Sequence, residues 1–397
     1  MTDPLFLARL AAGVFAAASL AFLALTVLLG MLAPFLMARR PQRRDKPPVT
    51  MVIPIKQLDE SFVPSQESAF DQDYPDYDVT ITAVETESPA IAASRRILAA
   101  HPEHAARIVR ATASFAASPK VNNLYQAVED ARADLIVMKD SNILLTNNGM
   151  TEAVAAMTDD VGLVVAVPEA HGAKNFAAEV ECSIMNQSHG RILLAAAALG
   201  LGFGVGKLMV FRRSALHKAG GFEAIAHSVG EDSAMAHALE ATGLRTRFMR
   251  APILQLLGAR NFHDVFHRQL RWTVVRRHNE TFAFLLEPLG LVSCCALAAG
   301  FAAPLVGLEP LAGAAAAVVV WWALETLLAL ARGWDVSVTA PAAMVTRDAM
   351  MLGVWLRAWF TKNVVWASEK YQAHQPDRLV ENEPMAAAVE TIKRNDR

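Results

Sequence analysis

Asp140 closes the apolar run DLIVMKD, and Asn142 follows it by two positions in MKDSNILLT. An acidic group at a strand end can hold Mg²⁺ or Mn²⁺ against a nucleotide diphosphate, because hard oxygen ligands suit those ions and phosphate oxygens complete the shell. Asp and Asn also cap helices after strands, so the motif alone leaves both readings open. Glu231 and Asp232, in SVGEDSAMAHAL, open a helical pattern, where the positive end of the dipole favours carboxylates. They fit a general base or a plain cap. Further on, NFHDVFHRQLRWTVVRRHN carries Arg268, Arg271 and Trp272 in the spacing R-x-x-R-W, two cations suited to a diphosphate.

Three other stretches invite chemistry. HDVFH sets His263 and His267 on one helix face like a zinc-protease pattern with Asp for Glu, yet no third ligand is evident and the stretch runs directly into RQLRW. The run GLGFGVGKL fails both the Walker and the GxGxxG spacing, so it reads as a close-approach loop or a tight turn. Lys120, Asn122 and Asn123 begin a helix that either faces donor phosphates or is an ordinary capped surface helix.

These residues need a scaffold. From Pro47 to about Phe282, β-rich runs at 49–55, 78–85, 106–111, 134–140, 161–168, 207–213 and 246–252 alternate with stretches of helical period. SPAIAASRRILAAHP predicts a helix with a Ser cap and Pro in the first turn, and NNLYQAVEDARA and GEDSAMAHALEATG predict two more. Such alternation implies an α/β domain with a mostly parallel sheet and active groups at the carboxyl ends of its strands.

Outside this domain the chain is strongly apolar. Of 397 residues 53% are hydrophobic and 19% charged, which excludes a disordered chain. The net charge of −2 lacks the basic excess of a general nucleic-acid binder, so no nucleic-acid partner is expected. The three cysteines, two of them adjacent in an apolar run, make no disulfide framework and fit a reducing compartment. Residues 11–37 carry no charge and are long enough to cross a ~30 Å hydrocarbon layer. A secretory signal peptide has a shorter apolar core. ARRPQRRDK follows directly, and the positive-inside rule places residue 40 onward in the cytoplasm. The runs 288–308 and 310–331 read as a tight membrane hairpin. Glu325, less than two turns from the end of the second, is expected to snorkel. Arg347, Asp348 and Arg357 interrupt the run 338–366, which therefore reads as interfacial or re-entrant. The expected divisions are an anchor at 1–38, a cytoplasmic domain at 39–282 ending in an interfacial RxxRW helix, the hairpin at 283–332, the interfacial segment at 333–367 and a polar tail at 368–397. In that RxxRW helix, Phe262, Val265, Phe266, Leu270 and Val274 share one stripe, as in a helix lying on a membrane with its arginines turned to a diphosphate.

An Asp-bearing strand end, a Glu-Asp pair and R-x-x-R-W, in that order behind an N-terminal anchor, resemble membrane glycosyltransferases of the GT-A type. The finer resemblance is to the ceramide glucosyltransferase family, glycosyltransferase family 21. It is carried by ETESPA (85–90), SPKVNNL (118–124), KDSNI (139–143), GFGVGKLMVFRRSALHKAGGF (202–222), GEDSAMAHAL (230–239), RQLRW (268–272), TRDAMMLGVWLRAW and VVW (364–366). It covers roughly residues 45 to 370. Three departures are Glu87 in place of an aspartate, Asn142 where a DxD motif has its second acid, and ASEKYQ where a basic ending is usual.

The resemblance implies a GT-A fold with N- and C-terminal transmembrane helices. It makes Glu87, or else Glu85, the nucleoside contact, Asp140 the acid linked to Mg²⁺ or Mn²⁺, Asp232 the catalytic base, and Arg268, Arg271 and Trp272 the diphosphate-and-acceptor motif. Lys120 would face the donor phosphates and His189 the sugar nucleotide. The implied reaction is inverting transfer of glucose from a UDP-sugar to the hydroxyl of ceramide, at a bacterial inner membrane with the catalytic domain cytoplasmic. Alternatives are a hopanoid or other lipid alcohol as acceptor, and UDP-glucuronate, UDP-galactose or UDP-N-acetylglucosamine as donor. A processive polysaccharide synthase would need more membrane helices, and a non-enzymatic lipid-binding scaffold would show no metal-dependent UDP-sugar binding.

Overall fold

In the computed structural model, which describes residues 3–228, 230–361, 363–366 and 369–372, the domain is built on a seven-stranded sheet. Its strands are β1 (Val49–Pro54), β2 (Tyr77–Ala83), β3 (Ala106–Arg110), β4 (Leu135–Lys139), β5 (Val161–Val165), β7 (Leu208–Arg212) and β8 (Arg245–Phe248). A separate parallel pair joins β6 (Pro168–Ala173) to β9 (Ile253–Gly258). The large sheet runs β3-β2-β1-β4-β7-β5-β8. The first four are parallel, β7 lies antiparallel between β4 and β5, and β8 returns parallel to β5.

Period-two alternation explains the unbroken apolar character of the central strands. Met51 and Ile53 of β1 pack with Val137 of β4 and Val210 of β7 on one face. Val52, Ile136 and Met209 pack on the other, with Val121 and Leu124 of the helix Pro119–Glu129 and Met235 and Leu239 of the helix Glu231–Glu240. With both faces covered, each fully buried Val or Leu contributes roughly 1.5–3 kcal/mol of burial. The chain steps outward from β1 through β2 to β3 and then returns to the opposite side of β1 as β4. That reversal opens a crevice at the carboxyl ends of β1 and β4, and Asp140 follows β4 directly.

The seven expected strands are present, with two differences. The run expected at 161–168 divides into β5 and β6, and β9 went unpredicted. PEAHGA, with a proline and with Gly172 at φ +68°, carries no strand alternation, and only pairing with β9 makes it a strand. Ser88 caps the helix Pro89–Ala100 through Ile91 N–H, as expected.

Among the described residues two helices are long and apolar enough to cross a membrane, Pro4–Ala38 and Pro310–Arg332. The first arm of the expected hairpin is broken. Thr281–Gly290 and Val292–Val306 meet at 57° and pass the same test only as a bent pair. The basic stretch after the first helix docks it onto the domain: Arg40 Nη2 donates to Ala198 O at 2.7 Å, and Pro41 O accepts from Arg247 Nη1 at 2.7 Å. Arg332 pairs with Glu169 of β6 at 2.7 Å, fixing the other long helix to the same domain.

Glu325 does not snorkel. It is buried beside Arg347 Nη2 at 2.8 Å and accepts from Trp321 Nε1 at 3.0 Å, because a cation on a neighbouring helix offers what the water interface would have offered. Arg347 and Asp348 lie in one continuous helix, Ala340–Ala358, which packs against the helix Phe262–Asn279. The stripe of that second helix is therefore largely covered by protein. Leu270 and Val274 meet Val354 and Ala358, and Val265 meets Ala343 and Met351, while Phe262 stays exposed. The backbone of Asn363–Trp366 pairs antiparallel with Glu369–Gln372. Beyond it, the expected polar tail lies outside the described residues.

Candidate active site

Two chain segments bring the acids together. Asp140 stands at the carboxyl end of β4, its N–H bonded to Lys207 O at 2.9 Å, and Glu231 and Asp232 form the first turn of the helix Glu231–Glu240, after Gly230. Lys120, one residue into its own helix after Pro119, reaches both acids. Its Nζ lies 2.8 Å from Asp140 Oδ1 and 3.0 Å from Glu231 Oε1, and donates to Gly206 O at 2.6 Å. Lys207 Nζ lies 3.4 Å from Asp140 Oδ2 and 3.3 Å from Asn142 Oδ1.

The glycine-rich segment before β7 closes over this cluster. A Cβ at Gly204 would stand 2.2 Å from the carbonyl carbon of Asp232, and one at Gly202 would stand 2.1 Å from Thr246 O. A Cβ at Gly206 would come within 3.2 Å of both the Asp232 and Glu231 carboxylates. Of the two readings open in the sequence, close approach is the one the structure adopts. Any side chain at Gly204 would drive the loop off the helix start.

Electrostatics follow from burial against pairing. Burial opposes the charge on Asp140, but Lys120 and Lys207 outweigh it and hold the carboxyl below its usual range. Burial also opposes the charge on Lys120, and the two carboxylates still raise it. For Glu231 burial wins and the pKa rises, with Asp232 adding to the rise and Lys120 resisting it. Asp232 Oδ1 accepts from Ser233 N at 2.9 Å.

The helix Phe262–Asn279, capped by Asn261 through Asp264 N–H, carries the other predicted residues. Arg271 is pushed down to about 10 by burial and by Arg268, while Glu231 and Asp140 act on it in the opposite direction. Trp272 meets His189, ring centroids 5.8 Å apart. His189 lies in a π-helical turn, Ile184–Gly190, between the helices Phe176–Ser183 and Arg191–Leu199. Burial, with Arg276 adding, lowers it to about 3, so the ring is neutral. Arg268 forms an ion pair with Glu181.

Lys120 thus joins Asp140 to Glu231, with Asp232 next in the same helix start and Arg271 within electrostatic reach. Trp272 and His189 pair with each other. Glu87 is not drawn into the cluster: exposed after the end of β2, it binds Arg95 with both oxygens, at 2.9 and 3.0 Å. Sequence reasoning passed over Glu181, a fully buried acid that also lies 3.2 Å from Arg260. Its only signal was a second carboxylate, after Glu179, on a short helix that also carries Phe, two Ala and a Val. Lys207, dismissed with the failed Walker spacing, is a member of the cluster.

The family described as Glycosyl transferase family 21 matches residues 9–379 of this sequence. The chain belongs to that family. Similar curated proteins are ceramide glucosyltransferase 1 of Caenorhabditis elegans, 27% identical over 61% of this chain and 53% of its own length, and the ceramide glucosyltransferase of Komagataella phaffii, 26% identical over 60% and 58%. The chain spans about half the length of the curated relatives it matches. Among solved structures, the mannosyltransferase PcManGT of Pyrobaculum calidifontis, in complex with GDP-Man and Mn²⁺, superposes with a TM-score of 0.55 at 19% identity, covering 88% of this chain and 99% of that one. The family and this superposition place the domain in the GT-A class, attached to long apolar helices.

Proposed function

We propose that the protein transfers a sugar from a UDP-sugar to the hydroxyl of a membrane lipid, with inversion, at the cytoplasmic face of a bacterial inner membrane. Glucose is the sugar and ceramide the acceptor that the family resemblance favours. The observation that carries the reading is the meeting of Asp140, Lys120 and the Glu231–Asp232 helix start beneath the glycine loop, within electrostatic reach of Arg271.

Among the described residues no group of three or more His, Cys, Asp or Glu is arranged to hold a metal. The residues nevertheless fit Mg²⁺ or Mn²⁺ carried in with a diphosphate. A single ammonium already bridges Asp140 and Glu231, and Mg²⁺ is commonly held by one or two carboxylates, phosphate and water. Asp140 would hold the ion, which when bound offsets the charge of the diphosphate.

The chain's own residues supply the rest. Asp232 takes the proton of the lipid hydroxyl as its oxygen attacks the anomeric carbon. The bond to the diphosphate oxygen breaks on the opposite side, so an α-linked donor gives a β-glycoside and UDP leaves. Arg268 and Arg271 stabilise the departing diphosphate. Neutral His189 and Trp272 form an uncharged wall suited to the sugar ring. Glu87 contacts the nucleoside only if its bond to Arg95 opens.

The test is transfer by purified protein in lipid nanodiscs. UDP-glucose with ceramide is expected to yield hexosylceramide, and Asp232→Asn is expected to abolish it while UDP-glucose binding stays within about threefold. Release of UDP with water-soluble acceptors but no lipid alcohol overturns the reading. Transfer to a hopanoid and not to ceramide moves the acceptor to the second candidate.

A further inference from the structure

The helices Pro310–Arg332 and Ala340–Ala358 carry a second charged cluster, and its bonds lead to the segment that holds His189. Arg347 pairs with Glu325 at 2.8 Å and with Asp348 at 2.7 Å. Arg191 Nε lies 3.9 Å from Glu325, and Arg191 Nη1 donates to Thr26 of the N-terminal helix. Trp321 bonds Glu325 and Trp322 bonds Asp348, at 3.0 and 2.8 Å. Four helices are therefore tied by two cations and two anions of zero net charge. A cavity of about 10 Å³ lies between Glu325, Arg347, Asp348 and Ser188, room for about one water molecule.

Other donors of the two arginines bond the π-helical turn and the serine before it. Arg347 Nη1 donates to Ser183 Oγ at 3.2 Å and to Gln187 Oε1 at 3.3 Å. Arg191 Nε donates to Gln187 O at 3.1 Å, and Ser183 Oγ donates to Gln187 Oε1 at 2.7 Å. From the other side Asn186 is clamped by both backbone groups of Ala170, at 2.8 and 2.9 Å. A Cβ at Gly190 would lie 2.9 Å from Met185 O, so the turn closes only around glycine. A π-turn has poorer intrinsic geometry than an α-turn and needs such outside support. His189 sits between Gln187 and Gly190 and faces Trp272.

We propose that Glu325 and Arg347 are positioning residues. Their ion pair fixes the π-turn Ile184–Gly190 and through it the placement of His189 against Trp272. A buried ion pair is a weak source of stability, and fixing one arrangement of the surrounding groups is the use for which such a pair is kept in some proteins. Here Glu325 directs Arg347, and Arg347 directs Ser183 and Gln187. The kinetic half of the test rests on the sugar-transfer reading; the structural half does not.

The experiment uses the full chain in nanodiscs with Glu325→Gln, which keeps shape and removes charge, and Arg347→Lys, which keeps charge and loses the fork. Hydrogen exchange of peptides covering 184–190 is expected to quicken about tenfold or more in both variants, with peptides covering β1 and β4 unchanged. In the lipid transfer assay kcat is expected to fall about tenfold with donor KM within about twofold. In a His189→Ala background, Glu325→Gln should change kcat by less than about twofold, because residues acting as one unit do not add. Unchanged exchange at 184–190, or an equal kcat loss in the His189→Ala background, overturns the proposal. If Glu325→Gln fails to fold, Arg347→Lys in the two backgrounds carries the same test. Absence of lipid transfer by the unsubstituted protein refutes the functional reading and leaves exchange to decide this one.

Discussion

Lys120, Asp140, Glu231 and Lys207 form one charged cluster, and Arg191, Glu325, Arg347 and Asp348 form another. Both pair two cations with two anions. In the first, the Asp140, Lys207, Glu231 and Lys120 side chains keep 23%, 18%, 11% and 9% of their surface, while in the second Arg191, Arg347 and Glu325 keep 0%, 2% and 2%, and Asp348 keeps 13%. The first cluster lies at the mouth of a sheet crevice beneath a glycine-rich loop, so its charges can exchange partners with an incoming ligand. The second is enclosed by tryptophans and helices, and its charges hold one another and the neighbouring Thr26, Ser183 and Gln187. The chemistry is shared, and access separates a site from a brace.

Asp232→Asn tests the open cluster hardest. Transfer is expected to fall about 10²–10⁴-fold with nucleotide-sugar binding retained, since a general base contributes on that scale. Loss of folding instead would make Asp232 a cap only. Next come the paired cations. Removing Lys120 as Lys120→Met leaves two carboxylates facing each other, and Arg347→Met strands Glu325. Each is expected to cost about 3–5 kcal/mol in thermal or denaturant unfolding. The difference between the clusters should emerge on adding millimolar Mg²⁺, which restores part of the loss in Lys120→Met and none in Arg347→Met. Equal behaviour of the two variants toward the ion breaks the comparison.

A smaller effect is expected from pH. His189, held at about 3 by burial, binds a proton less readily folded than unfolded, where imidazole titrates near 6.5. Its contribution is therefore complete above that value and lost as pH falls. By pH 5 the loss is about 1–2 kcal/mol, and a His189→Asn variant should show a flatter melting temperature between pH 7 and 5. The smallest effect belongs to Glu87. Bonded to Arg95 outside the cluster, it should change transfer by less than about threefold on replacement with Ala. A larger loss would mean that the carboxylate turns inward when donor binds.

Much of this arrangement was legible in local pattern. The strands at 49–54 and 135–139 declare themselves as apolar runs because both their faces are covered, and Asp140 follows from the end of one of them. Ser88 and Pro89 mark a helix start with mechanisms that act within four residues. Where a contact depends on residues far apart in the chain, the pattern was silent. β6 and β9 are strands only through each other. The RxxRW helix shows an apolar stripe that lipid or protein could cover equally, and the helix Ala340–Ala358 determined which.

The sequence by itself determined the strands of the large sheet, the two long apolar helices, the family and the identity of the acids and arginines, since each rests on short-range period or on a motif. Tertiary structure decided that Lys120 spans Asp140 and Glu231, that the glycines exist for close approach, and that Glu325 meets Arg347 instead of water. The physical reason is that a charge's state is set by what surrounds it in space. An acid in an apolar run can reach the interface or a buried cation, and only the packing of a second helix supplies the cation.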